Sequence, residues 1–85
     1  MERSLRNMPY AQAKVYIDKK DGRDLVVLRS YATNVIIVYK GELTCSGLYS
    51  MTTRKHISAF LSEYYPHISF YDVKAIAGTE KSIRV

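Results

Sequence analysis

Apolar and polar positions alternate in the first half of this chain, and the period changes in the second. Lys14-Val15-Tyr16-Ile17-Asp18 places Val15 and Ile17 on one face, as a half-buried strand does. Asp21-Gly22 then signals a turn, since glycine takes a positive φ at no steric cost, and Leu25-Val26-Val27-Leu28-Arg29-Ser30 returns as a second strand. This hairpin has a charged, exposed tip of Lys19, Lys20, Asp21, Arg23 and Asp24. Tyr31 to Asn34 is a short connection. The β-branched run Val35-Ile36-Ile37-Val38-Tyr39 predicts a central strand, buried on both faces or nearly so. Lys40-Gly41 turns the chain into a fourth strand, Leu43 to Tyr49, in which Gly47 suggests a bulge or a close backbone approach.

From about Thr52 to Tyr65 the spacing is helical: at about 100° per residue, Thr53, Ile57, Phe60, Leu61 and Tyr64 share one face. Lys55, Ser58 and Ser62 point away from that face, and Arg54 and His56 flank it. Thr52 or Ser50 is the expected N-cap, and Pro66 ends the helix. Ile68 to Val73 alternates again and predicts a fifth strand. Gly78 breaks the chain, and Ile83-Arg84-Val85 suggests a short edge segment. The expected fold is therefore α+β: an antiparallel sheet of four to five strands with one main helix packed on one face, in the order β-β-β-β-α-β. Residues 1–10, polar and basic, read as an N-terminal arm, either mobile or a short helical turn, before a single domain at 11–85. The second sheet face is left for the arm, aromatic surface or a second copy of the chain to cover.

The chain has 85 residues, enough for one domain and a modest core, and its composition is that of a globular protein. Cys45 is the only cysteine, so there is no intramolecular disulfide and no single-chain Cys-based zinc site. It reads as a small buried hydrophobe in a reducing compartment. The longest apolar run, Val35 to Tyr39, is far too short to span a bilayer. The N-terminus has no apolar stretch after its charges, so a cytoplasmic location is expected. Thirteen basic against eight acidic residues give a net charge of +5, which favours an anionic partner.

Little in the sequence carries chemistry. His56 and His67 have no companions at metal-ligand spacing. The four glycines are isolated, so there is no phosphate-binding loop, and no local motif unites Cys45, His56 and Asp72 as a catalytic set. No enzyme activity, cofactor or metal is expected. The unusual segment is the helix start. Helix N-termini carry partial positive charge and attract acids, yet Arg54 and Lys55 stand there after Thr52 and Thr53 and before His56. Such a cluster would suit a phosphate or carboxylate; the plainer alternative is a Ser/Thr cap with solvated basic side chains. Eight tyrosines accompany it, and those beside basic residues can stack bases or anchor a protein interface. Tyr16, Tyr31 or Tyr39 exposed on a sheet would suit single-stranded nucleic acid, although no RRM signature occurs. The expected binding residues are Thr52, Arg54, Lys55, His56, Tyr31 and Tyr49.

Ser30-Tyr31-Ala32-Thr33-Asn34-Val35, followed by Gly47-Leu48-Tyr49-Ser50-Met51-Thr52-Thr53-Arg54-Lys55-His56-Ile57 and Phe60-Leu61, resembles a family of small uncharacterised proteins. These are carried by phages, plasmids and other mobile elements, mainly of Gram-positive bacteria. The shared pattern is a Ser-Tyr-x-Thr-x-Val strand, a hairpin, and Tyr-Ser-x-Thr-Thr-x-basic-His-Ile-x-x-Phe-Leu. It covers roughly residues 28–62, and residues 1–20 and 66–85 have no counterpart in it. The resemblance implies an accessory role on a mobile element and brings no activity with it. Three functions follow as expectations. The first is a non-catalytic protein binding nucleic acid or an acidic protein surface. The second is a host-directed inhibitor, such as an anti-CRISPR or other anti-defence protein, acting by protein contact. The third is a self-associating module that dimerises through the uncovered sheet face.

Overall fold

A computed structural model describes residues 1–9 and 11–85. The strands are β1 (Glu2–Ser4), β2 (Ala13–Lys20), β3 (Arg23–Ser30), β4 (Thr33–Tyr39), β5 (Glu42–Cys45) and β6 (Ile83–Arg84), with helices α1 (Met51–Tyr64) and α2 (Phe70–Ile76) between β5 and β6. The strands form one antiparallel sheet in the order β1-β2-β3-β4-β5-β6. The fold is α+β, with both helices on the same face.

The period-two pattern decides which side chains meet the helices. Val15, Leu28, Ile36, Leu43 and Cys45 point to that side and pack against Ile57, Phe60 and Leu61 of α1 and Val73 and Ile76 of α2. Cys45 is a free, buried thiol, and burial pushes its pKa up. A register shift between Leu28 and Arg29 leaves Val35 as an extra residue of β4, so both Val35 and Ile36 turn inward. The expectation that β4 is covered on both faces is corrected. It is an interior strand by hydrogen bonding, yet Ile37 is 38% exposed because, among the described residues, no element lies over the opposite face.

Two further segments depart from expectation. The stretch read as an arm opens with a strand: Glu2, Arg3 and Ser4 pair with Tyr16, Val15 and Lys14. Leu5 is fully buried in the core, and the Arg6 backbone N–H donates to Glu63 Oε1 of α1 at 2.6 Å. Burying one leucine is worth about 2 kcal/mol, enough to hold a short strand in place. Tyr10, the last residue of that segment, lies outside the described residues. The fifth strand expected at Ile68 to Val73 is instead the N-cap and first turn of α2. Ser69 and Asp72 form a capping box, with Asp72 N donating to Ser69 Oγ at 3.2 Å and Ser69 N donating to Asp72 Oδ2 at 3.3 Å. Val73 and Ile76, three apart, then bury one face of α2. Alternation over six residues was outweighed by a cap and a helical pair that becomes visible only when Ile76 is included.

Candidate functional site

Helix α1 starts at Ser50, which is the N-cap; its hydroxyl accepts the Thr53 N–H at 3.2 Å. The same hydroxyl donates to Thr53 Oγ1 at 3.2 Å. Thr53 Oγ1 lies 3.1 Å from Ser30 Oγ, and Ser30 Oγ lies 2.8 Å from His56 Nδ1. The hydroxyls can therefore donate in one direction, Ser50 to Thr53 to Ser30, ending on a neutral His56 that accepts. Ser30, Thr53 and His56 are all buried, and burial pushes the His56 pKa below its ordinary value. The network ties the β3–β4 turn to the first turn of α1.

These positions correct the expected anion site. His56 is 1% exposed and bonded inward, so it takes no part in an open cradle. It sits beside the helix's apolar stripe, and the β3–β4 turn folds over it. Tyr31 covers it, with ring centroids 5.8 Å apart. Thr52 and Lys55 are exposed and Arg54 is half-buried; Arg54 and Lys55 face a hollow shared with Met51, Ser58 and Phe70 rather than His56. Tyr49 is exposed, and its hydroxyl donates to Ser46 Oγ at 2.9 Å. Its ring lies so close to Gly47 that a Cβ there would sit 3.1 Å from it, which accounts for the glycine as a close approach just beyond the strand. Tyr31 and Tyr49 both have positive φ, 54° and 57°, a region that aromatic residues rarely occupy. Ser30 and His56 are spaced like a nucleophile and base. Ser30, however, is 2% exposed and also hydrogen-bonded to Thr53, so the pair works as a clamp.

The opposite sheet face gathers side chains that the sequence reading did not group. The Asp21-Gly22 turn sets the β2–β3 register, placing Lys14 opposite Arg29, Tyr16 opposite Val27, Asp18 opposite Leu25 and Lys20 opposite Arg23. By alternation from the buried Val15 and Leu28, all eight lie on the uncovered face. The apolar strip of Leu25 and Val27 continues into Tyr39 and Ile37 of β4. Two like-charged pairs, Lys14/Arg29 and Lys20/Arg23, thus bracket an aromatic and aliphatic strip, into which Asp18, opposite Leu25, and Glu2, opposite Tyr16, bring negative charge. Like charges directly opposite are destabilising by a few tenths of a kcal/mol up to about 1 kcal/mol.

Among the described residues the ion pair is Lys19–Asp24 at 2.9 Å, on the other side of the sheet. None of the four bracketing cations takes part in it. Glu2 accepts the Tyr16 hydroxyl at 2.9 Å, and this hydrogen bond holds the Tyr16 pKa above its ordinary value. The Tyr39 ring has Lys20 Nζ at 5.4 Å and Lys40 Nζ at 5.5 Å from its centroid. Around the hairpin tips Lys19, Arg23 and Lys40, together with the Asp24 that pairs with Lys19, line a hollow of about 460 Å³. The signal for this face was present in the sequence: a two-residue turn aligns each arm of a hairpin with its mirror image.

A family of unknown function, DUF8033, matches residues 3–78. The chain belongs to DUF8033. The match takes in β1 and α2, so the DUF8033 domain extends well beyond the central residues that carry the sequence resemblance. No curated protein and no solved structure matches the chain. Among the described residues of this DUF8033 protein, no group of three His, Cys, Asp or Glu side chains is placed to hold a metal ion. Among those same residues, no helix is long and apolar enough to cross a membrane.

Proposed function

We propose that this chain is a non-catalytic binding protein that takes single-stranded nucleic acid across its uncovered sheet face. The observation that carries the reading is the pair of like-charged cross-strand contacts, Lys14/Arg29 and Lys20/Arg23, on either side of Tyr16, Val27, Leu25 and Tyr39. A phosphate chain relieves the repulsion, and the strip supplies surfaces against which unstacked bases pack. The net charge of +5 assists encounter. Resemblance of the Ser30–Leu61 motif to mobile-element proteins supports an accessory role on a phage or plasmid, acting in the host cytoplasm.

The test is fluorescence anisotropy with labelled DNA and RNA strands of about 12 nucleotides, between about 50 and 200 mM salt. Log affinity should fall with log salt by about 0.7 for each phosphate contacted. Replacing Lys14 and Arg29 together by Ala should flatten the slope, and Tyr39→Ala should weaken binding about tenfold at fixed salt. Absence of binding to either strand at low salt would overturn the reading.

The contiguous apolar patch of Leu25, Val27 and Ile37 favours one competitor, self-association through the same face. Light scattering showing a dimer that Ile37→Lys dissociates would establish it.

A further inference from the structure

Helix α1 has a second exposed face, and it is not smooth. Met51, Arg54, Lys55 and Ser58 follow one another at helical spacing along it, and Phe70 at the start of α2 closes the far side of a hollow of about 340 Å³. A second hollow, of about 360 Å³, continues from Ser58 and Phe70 past Ser62 to Pro66 and Ile68. Ser58 and Phe70 line both hollows, and from Met51 to Ser62 this grooved face runs about 16 Å along the helix axis. Ser58 and Ser62 keep its α1 wall low. Met51, 68% exposed, and the half-buried Phe70 give it apolar sides.

The charge in this groove is one-sided. Arg54 and Lys55 stand at one end, α1 carries no acid in its first turn, and among the described residues no carboxylate lines either hollow. We propose that the groove binds an acidic amphipathic helix of a partner protein. That helix would lay an apolar stripe between Met51 and Phe70 and set its carboxylates against Arg54 and Lys55. Three turns, about 16 Å, fill the length. A nucleic-acid strand fits less well, because it needs cations along its whole path and this groove has them at one end only. The two basic surfaces then have separate partners: nucleic acid on the open sheet face, a protein on the helical face.

The experiment uses the full chain and a designed peptide of about 14 residues, with Leu at i, i+3, i+4 and i+7 and Glu on the flanks. A matched peptide has every Glu replaced by Lys. Backbone amide shifts are followed by NMR during titration with each. The Glu peptide should move the resonances of residues 51–62 and 70, and the Lys peptide should leave them in place. Arg54→Glu with Lys55→Glu should weaken the Glu peptide at least about tenfold. Ser58→Trp, which fills the groove from an exposed position, should do the same without touching the core. Ser58→Trp should hold the oligonucleotides of the previous test as tightly as the parent chain does, and the charge-reversal variant, whose net charge falls from +5 to +1, should keep the parent's salt slope. Failure of the Glu peptide to perturb the groove, or equal binding of both peptides, would overturn the proposal. A flattened oligonucleotide salt slope in the Arg54/Lys55 variant would overturn it too, by assigning those cations to nucleic acid. Absence of oligonucleotide binding in the parent chain bears on the sheet face alone.

Discussion

The two ends of the sheet turn the chain by different means. At one end Asp21-Gly22 and Lys40-Gly41 put both central residues at positive φ, 53° and 76° in the first turn and 56° and 75° in the second. These turns match the strand twist and follow from their residues. At the other end Tyr31 takes φ 54° between β3 and β4 with no glycine beside it, and Tyr49 takes φ 57° just before α1. A bulky residue in that region costs on the order of 1 kcal/mol or more. A glycine would remove that cost, but it would also remove the ring that covers His56. The glycine end only reverses the chain, whereas the tyrosine end also seals a polar network.

That contrast can be broken most severely at His56. His56→Ala should cost about 3 kcal/mol in urea unfolding, because it opens a cavity and strands the Ser30 hydroxyl. A loss below about 1 kcal/mol would mean the network holds little. Ser30→Ala, which keeps the ring but removes its partner, should cost about 1–3 kcal/mol.

Acid should act through the same residue. The folded His56 pKa is lowered by burial, so the unfolded chain takes up the proton first. The stabilising contribution of neutral His56 is complete above its ordinary pKa of about 6.5, and drains away as pH falls from there through the lowered folded value. Protonation also turns Nδ1 into a donor and reverses the hydroxyl chain. Unfolding midpoints at successive pH values should fall in this window for the parent chain and stay flat for His56→Leu.

At the other end the effects should be smaller and purely backbone in origin. Gly22→Ala should cost about 1 kcal/mol, since the added Cβ meets nothing within 4 Å and only the positive φ opposes it. Back at the tyrosine end, where side chain and backbone oppose each other, Tyr31→Gly should lie within about 0.5 kcal/mol of the parent, as relief of strain offsets the lost ring contact. A large loss there would show that the ring contact outweighs the strain.

The run of elements from β2 to α1 was legible because its signals are local. Both glycine turns, the alternation in β2 and β3 and the stripe of Thr53, Ile57, Phe60 and Leu61 each lie within a few residues. The burial of Leu5 and His56 was not legible in the same way. Each is decided by an element distant in the chain, Leu5 by β2 and α1, His56 by Ser30 and Tyr31. The site was legible in part. Tyr31 and His56 do come together, but as a buried clamp of Ser30, Thr53 and His56 with Tyr31 over it; Tyr49 is exposed and bonds Ser46, and Arg54 and Lys55 belong to a different surface. Lys14, Arg29, Lys20 and Arg23 stayed unseen as pairs because cross-strand neighbours are distant in sequence. They were recoverable only by carrying the Asp21-Gly22 register down the hairpin.

The strand order β1-β2-β3-β4-β5-β6 has a kinetic consequence. Every strand up to β5 pairs with the one just before it, so the sheet can zip up through short loop closures, each with a small entropic cost. Only β6 must wait, because both helices lie between it and β5. The Asp21-Gly22 and Lys40-Gly41 hairpins are the natural places for folding to begin. Docking of α1 onto the Tyr31 end, which locks Ser30 and His56 together, should then come after the hairpins have formed.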